Sequence, residues 1–489
     1  RDRSPSRGLG DVYKRQNYDR QFNLHHVTGM LMYMQREYRS SVLPERNQGF
    51  SGRFTYDYGQ RYLVELNFGY NGTERLAKKE RFEFFPAVSL GWVISNEKFF
   101  EPMTKYIDNL KIRGSYGLVG SDETGLSAGA QHFLYIDQVS LNNIGFTTGV
   151  DMNYTLYGPL VTNYAVVNGG WERVKKLDIG IDLELFRQLT ITADYFNEKR
   201  YNILLHREAW PESLGYYTAK PWSNKGKVDN WGIELSVNWR KEFTKDLYVD
   251  FRGNFTYTEN KYVNLDEPVY PYVWKTSTGK PLSRTTGYIA QGLFSSQEEI
   301  DNSPTQNLGS TVKPGDIKYR DVNGDGKIDG SDQVMISPYG TTPRIQYGLG
   351  MNVTYKKFDF GVFFNGSAKR TIMISGISPF GQSDYNVMQF IADDYWSESN
   401  PNPNAKYPRL GLTSSQTANN TVASTYWMRN GNFIRFKTLE LGYKFKYGRV
   451  YLNGDNIAVF SPFKLWDPEL SWNAYPLQRT FNIGVQLNF

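Results

Sequence analysis

Apolar residues recur at every second position over much of the chain, which is the period of a β-strand with two unlike faces. In 343–355 the apolar set is Ile345, Tyr347, Leu349, Met351, Val353 and Tyr355. In 228–240 it is Trp231, Ile233, Leu235, Val237 and Trp239. At the C-terminal end Phe481, Ile483, Val485, Leu487 and Phe489 alternate with polar or small residues. Over 174–186 the apolar positions Leu177, Ile179, Ile181, Leu183 and Leu185 alternate with Asp178, Gly180, Asp182 and Glu184. The pattern predicts about fourteen strands. They lie at 20–37, 47–58, 61–71, 81–95, 109–119, 174–186, 188–199, 228–240, 247–259, 343–355, 357–366, 432–445, 449–459 and 479–489.

The connections between these strands fall into two kinds that alternate. Those at 59–60, 96–108, 187, 241–246, 356 and 446–448 are mostly very short. Those at 38–46, 72–80, 120–173, 200–227, 260–342, 367–431 and 460–478 are mostly long. Tight turns on one side and long loops on the other are expected of an all-β, antiparallel, up-and-down barrel in an outer membrane. A soluble sandwich or propeller gives no reason for that alternation. In a barrel the charges of 174–186 belong on the inner, wet face, because a charge on the lipid face at mid-membrane costs about 2–4 kcal/mol.

Composition sharpens this picture. No run of about 18 apolar residues is present, so no spanning helix is expected. The mean hydropathy of −0.56 does not argue against a membrane, since a spanning strand is apolar only at alternate residues. Aromatic residues make up 16%, with 36 Tyr, and such residues gather where hydrocarbon meets water. The chain has no Cys, which suits an envelope location. A net charge of +6 without a long basic run gives no sign of nucleic-acid binding. Residues 1–16 are rich in Arg, Ser and Gly, and they read as a disordered or artefactual tail before a barrel domain at 17–489. No signal peptide is recognisable, so the natural N-terminus is expected upstream. Phe489 ends an alternating strand, like the terminal aromatic read by the outer-membrane assembly machinery.

One segment carries a metal-type pattern. Asp321, Asn323 and Asp325 stand at loop positions 1, 3 and 5, and Gly326 at the turn. Lys327 offers a carbonyl at 7, Asp329 stands at 9 and Asp332 at 12. Calcium takes six to eight oxygens, and this spacing wraps them around one point. The expectation is a structural Ca²⁺ in an extracellular loop, without EF-hand helices; the alternative is an Asx-rich turn without metal. Catalytic patterns are poor, and no enzyme is expected. Gly125-Leu-Ser127-Ala-Gly129 lacks the strand and helix of a nucleophile elbow. His25, His26, His132 and His206 lack metal-protease spacing, and Asp393-Asp394 reads as solvated loop. The long loops carry Trp210, Trp222, Tyr270, Tyr272, Trp274, Trp396, Trp427, Trp466 and Trp472. Such faces suit sugar rings or peptide side chains, but for any one residue loop packing is the commoner role.

Several segments, in order, resemble the SusC/RagA family of TonB-linked outer-membrane proteins of Bacteroidota. They are Pro314 to Asp329, Asn402 to Arg409, Gly431 to Tyr443, Asn453 to Asn456, Trp466 to Glu469 and Tyr475 to Phe481. The resemblance implies a barrel of about 22 strands with an N-terminal plug. The fourteen strands here would be its C-terminal part, with the plug and TonB-binding segment absent from this chain. It also implies a SusD-like surface lipoprotein as lid, energy from TonB-ExbB-ExbD through the missing N-terminal part, and uptake of oligosaccharides or oligopeptides. Two rivals share the barrel: a siderophore or vitamin receptor, and a passive porin. A rival of another class is a secreted β-rich glycan-binding protein or hydrolase. Loop sequences set the substrate, and none is legible.

Overall fold

The structure, a computed structural model, describes residues 9–38, 45–123, 133–166, 168–214, 220–374, 387–411, 413–471 and 474–488. Fifteen strands form one sheet in which every strand neighbours the next in chain order. They are Leu9–Phe22, His25–Tyr38, Glu45–Tyr58, Tyr62–Thr73, Phe82–Val93, Ile107–Ser121, Glu172–Leu185, Leu189–His206, Trp222–Thr244, Leu247–Asn264, Ile345–Tyr355, Phe358–Ala368, Phe433–Phe445, Gly448–Phe460 and Thr480–Leu487. The connections alternate between tight turns and long loops, as the sequence predicts. No described helix is long and apolar enough to cross a membrane.

The count differs from fourteen at the start. The expected strand at 20–37 is a hairpin, Leu9–Phe22 against His25–Tyr38, turning at Asn23 with φ of 51°. Asn tolerates that left-handed conformation. The expected boundary after residue 16 therefore falls inside a strand. The periodic signal is weak there because Lys14, Gln16 and Arg20 share the face of Tyr18 and Phe22, opposite Tyr33, Leu31 and Val27. Phe489 lies outside the described residues.

The chain divides into two compact units, residues 1–236 with 258–269, and residues 237–257 with 270–489. In the first unit, cross-strand register lines up Phe54, Leu66, Val88, Tyr116 and Leu177 in one row. Phe54, Leu66, Val88 and Tyr116 are exposed, Leu66 by 51%, and Leu177 is half-buried, as suits a lipid-facing band. The opposite face is polar. Arg113 reaches Asp178 at 3.2 Å, Asp182 at 3.3 Å and Asp194 at 2.6 Å. Asp178 and Asp182 thus occupy the inner face expected of them. Glu184 shares that face by register, opposite Asn109 and Thr190.

In the second unit the described residues of the connections 270–344, 369–432 and 461–479 are folded, not loose. They carry small two-stranded pairings, among them Thr285–Gly287 with Val334–Ser337, Ala290–Leu293 with Ile317–Tyr319, and Thr371–Met373 with Met428–Asn430. All three loops contribute to one hydrophobic core, built around Tyr319, Ile374, Trp396, Trp427 and Phe463. Apolar loop residues find each other there instead of water, and this makes a folded body on the long-loop side of the sheet.

Candidate functional site

Two buried ion pairs organise the second unit. Asp316 is wholly buried. Its Oδ1 lies 2.7 Å from Arg409 Nε and accepts from Asn420 Nδ2 at 2.7 Å, while Oδ2 accepts from the Lys313 amide at 2.8 Å. Burial raises the Asp316 carboxyl above its ordinary value, and Arg409 with the amides opposes that rise. Gly315, with φ of +86°, makes the turn, and a Cβ there would run into the Trp396 indole. Arg435 is 2% exposed and forms the second pair, holding Asp467 at 2.7 Å and Glu469 at 2.7 Å. It also donates to Asn456 Oδ1. A charge removed from water needs such partners. The segments 314–329 and 402–409 meet in the first pair; 431–443, 453–456 and 466–469 meet in the second.

The segment Asp321 to Asp332 forms a tight loop. Asp321 accepts from the amides of Gly324 at 2.7 Å and Gly326 at 2.8 Å. Asn323 Oδ1 accepts from the Asp325 amide, and Asp325 Oδ1 from the Lys327 amide. Asp329 caps Gly330–Asp332, and the Ser331 amide holds its carboxyl below the usual range. Asp332 is wholly buried, and its two oxygens accept from Val322 N at 2.8 Å and Asp329 N at 2.9 Å. The loop therefore brings the six expected residues into one turn, with both carboxylate oxygens of Asp321 and of Asp332 accepting from backbone amides. Asp321, Asn323 and Asp325 lie on its outer, more exposed part. Among the described residues no three acidic, His or Cys groups converge as a metal cluster.

The aromatic residues of the loops mostly pack. Trp396 and Trp427 lie in the core, and Trp427 Nε1 donates to Asn420 O at 2.7 Å. Trp466 packs edge-on against Phe463 at 4.6 Å. Trp274 stacks on Tyr272 at 4.8 Å and donates to Ser331 O at 2.8 Å. Tyr270 is exposed. In the first unit Trp222 lies on His206 at 3.6 Å, and Arg207 lies over Trp210 at 5.1 Å. His25 bonds Tyr56, while His26 bonds Asp19, so the two histidines share no partner. Asp393 accepts from Gln389 and Asp394 pairs with Lys406 at 3.4 Å. Trp472, His132 and the segment Gly125 to Gly129 lie outside the described residues. The loop body and its two ion pairs were not anticipated from the sequence. The clustering of Trp and Tyr with isolated Asp and Arg in 288–469 was the available signal.

An antiparallel strand meander with an exposed apolar face, a charged opposite face, tight turns at one end and a folded loop body at the other defines the wall of an outer-membrane β-barrel. The family model described as TonB dependent receptor-like, beta-barrel, matches residues 6–457, and the chain belongs to that family. It is 25% identical over 478 residues to TonB-dependent receptor P3 of Formosa agariphila, covering 90% of this chain and 45% of that protein. It is 27% identical over 469 residues to TonB-dependent receptor SusC of Bacteroides thetaiotaomicron, covering 90% of this chain and 43% of that protein. The chain thus spans about half the length of the curated relatives it matches. Among solved structures, the RagAB peptide importer in its open-open state superposes with a TM-score of 0.73 at 18% identity, over 98% of this chain and 54% of that one. That likeness concerns the fold. The SusC/RagA resemblance read from the sequence motifs holds, and the protein is of the outer membrane.

Proposed function

We propose that this chain is the C-terminal wall of a nutrient importer, energised through TonB and working with a SusD-like surface lipoprotein. Its substrates in this reading are oligosaccharides or oligopeptides. The observation that carries the reading is the folded loop body set on a strand meander with a polar inner face. A passive porin has no need of three loops sharing one core, whereas a lid protein needs a firm surface to close upon. The similarity to SusC and the fold of RagAB support the same reading. Ca²⁺ in the Asp321 to Asp332 loop is part of it, as a structural ion held by Asp321, Asn323, Asp325, the Lys327 carbonyl and Asp329. Asp332 braces the turn from beneath.

The test is uptake. Cells carrying the complete gene should take up labelled oligosaccharide or oligopeptide, and deletion of the gene or of TonB should abolish it. Uptake that survives collapse of the proton gradient would point to the porin. Co-purification of a lipoprotein encoded nearby tests the lid.

A further inference from the structure

Resting on that import reading, we infer that a cavity on the polar face of the second unit binds a carboxylate of the transported molecule, through Arg370 and Lys437 with Asn365 and Ser367 beside them. The cavity holds about 490 Å³, within the range of small-molecule sites.

Register places its walls on the inner face. Asn254 pairs with Gly348, which pairs with Asn365; Gln346 pairs with Ser367. Gly348 leaves the floor open, since a Cβ there would come within 3.0 Å of Asn254 Oδ1. Lys437 reaches the cavity because the strand bulges. Phe436 pairs with Phe364 and Thr438 with Phe363, so Lys437 is the extra residue between them. A bulge re-aims a side chain, and it is a common device beside binding sites. Arg370 enters from the loop that follows Phe358–Ala368.

The charge balance favours an anion. The carboxylate lining the cavity belongs to Glu469, and it is already bonded to Arg435. Arg370 and Lys437 form no ion pair among the described residues. Arg370 Nε, Asn365 Oδ1 and Ser367 Oγ are buried without a hydrogen-bond partner there, and Ser367 is only 5% exposed. Native interiors rarely leave such atoms unsatisfied. Burial lowers the Arg370 pKa, and the Glu469 charge opposes that fall. A carboxylate supplies the acceptor that Arg370 Nε and Ser367 Oγ lack, while Asn365 Oδ1, itself an acceptor, is left for a hydroxyl or amide N–H of the same molecule. Its two oxygens match the edge of a guanidinium, and the Lys437 ammonium adds a point charge. Ser367 Oγ then donates to a remaining lone pair. A neutral sugar would satisfy Asn365 and Ser367 but leave the guanidinium unpaired. The carboxylate belongs either to an acidic sugar or to an acidic peptide.

The experiment uses the complete transporter that carries this chain, purified in detergent, and calorimetric titration with four probes. These are trigalacturonate, triglutamate, maltotriose and trialanine amide. One acidic probe should bind better than its neutral counterpart, and which one binds identifies the source of the carboxylate. Arg370→Gln and Lys437→Gln should each weaken that binding by about tenfold or more. Heat-modifiable gel migration checks that each variant is folded, and Lys437→Met repeats the test at an exposed bulge position. Acidic probes that bind no better than neutral ones, or folded variants that bind them like the parent, overturn the site. TonB-dependent uptake without acid preference overturns the site and leaves the import reading standing. Acid binding without uptake supports the site and overturns import.

Discussion

Arg435 and Asp467 meet with one guanidinium nitrogen 2.7 Å and 2.8 Å from the two carboxylate oxygens. Arg435 sits in the sheet strand Phe433–Phe445, and Asp467 in the loop 461–479, so the pair ties loop to wall. Arg435→Ala leaves Asp467 and Glu469 without their cation. Breaking a buried pair costs about 3–5 kcal/mol, and partial exposure of both carboxylates puts this case at the low end. The expected result is protease cleavage in 461–479 at a concentration that leaves the parent intact. Arg435→Lys, which keeps charge but not the fork, should recover only part of the protection.

The two faces of the strand Tyr62–Thr73 should respond oppositely to the same substitution. Leu66→Arg puts a charge in the lipid-facing row and should cost about 2–4 kcal/mol if it lies near mid-membrane. Asn67→Arg, one residue on, faces the polar side beside Glu65 and should be tolerated. The folded fraction on a heat-modifiability gel, followed against urea, distinguishes them. Equal loss in both variants would contradict the assigned faces.

Asp266 links stability of the first unit's loops to pH. Burial pushes its pKa up, but hydrogen bonds from Arg207 and Lys225 outweigh that, and the net shift is downward. A lowered carboxyl contributes stability above its unfolded value, about 3.9, and loses it as pH falls through the folded value. Acid should therefore release 207–214, where the Ala209 amide bonds Asp266 O. Hydrogen exchange of that segment, followed from neutral pH downward, should show a step that begins only below about pH 3.9. Asp266→Asn should be weaker at neutral pH and lack the step.

The Asp321 loop carries its own probe. Trp274 donates to Ser331 O, which places an indole beside the turn. Terbium, a calcium mimic, should give luminescence on excitation of the indole, and calcium should displace it. Asp321→Asn should lower affinity by about tenfold or more, whereas Trp274→Phe should dim the signal at unchanged affinity. No luminescence from the parent would leave the loop as an Asx turn.

Much of the wall was legible because strand period and connection length are local properties. Leu177 to Leu185 and Ile345 to Tyr355 alternate so regularly that only a two-faced strand suits them. The strand Leu9–Phe22 was not legible, because Lys14 and Arg20 occupy positions that register makes lipid-facing. The ends of Leu189–His206, Trp222–Thr244 and Leu247–Asn264 run beyond the expected strands, as their extensions lack strict alternation, Ile203, Leu204 and Leu205 falling side by side in the first. The loop body was hidden for a different reason. Asp316 with Arg409, and Arg435 with Asp467, are pairs far apart in sequence, and a single sequence does not show which charge meets which. Lys437 was hidden too, since a bulge breaks the very period used to assign faces.

The shared core of the three loops limits how this surface can change. Receptors are often pictured as rigid walls with interchangeable tips, so that a new specificity can be grafted one hairpin at a time. Here Ile374, Trp427 and Phe463 come from two different loops and pack with Tyr319 of a third. A graft of one loop would leave the other two facing a void, at several kcal/mol for each large side chain removed. Loops 270–344, 369–432 and 461–479 therefore form one unit of inheritance. A productive chimera would exchange all three together, with Arg435 and Asp467 kept as the hinge points of the transplant.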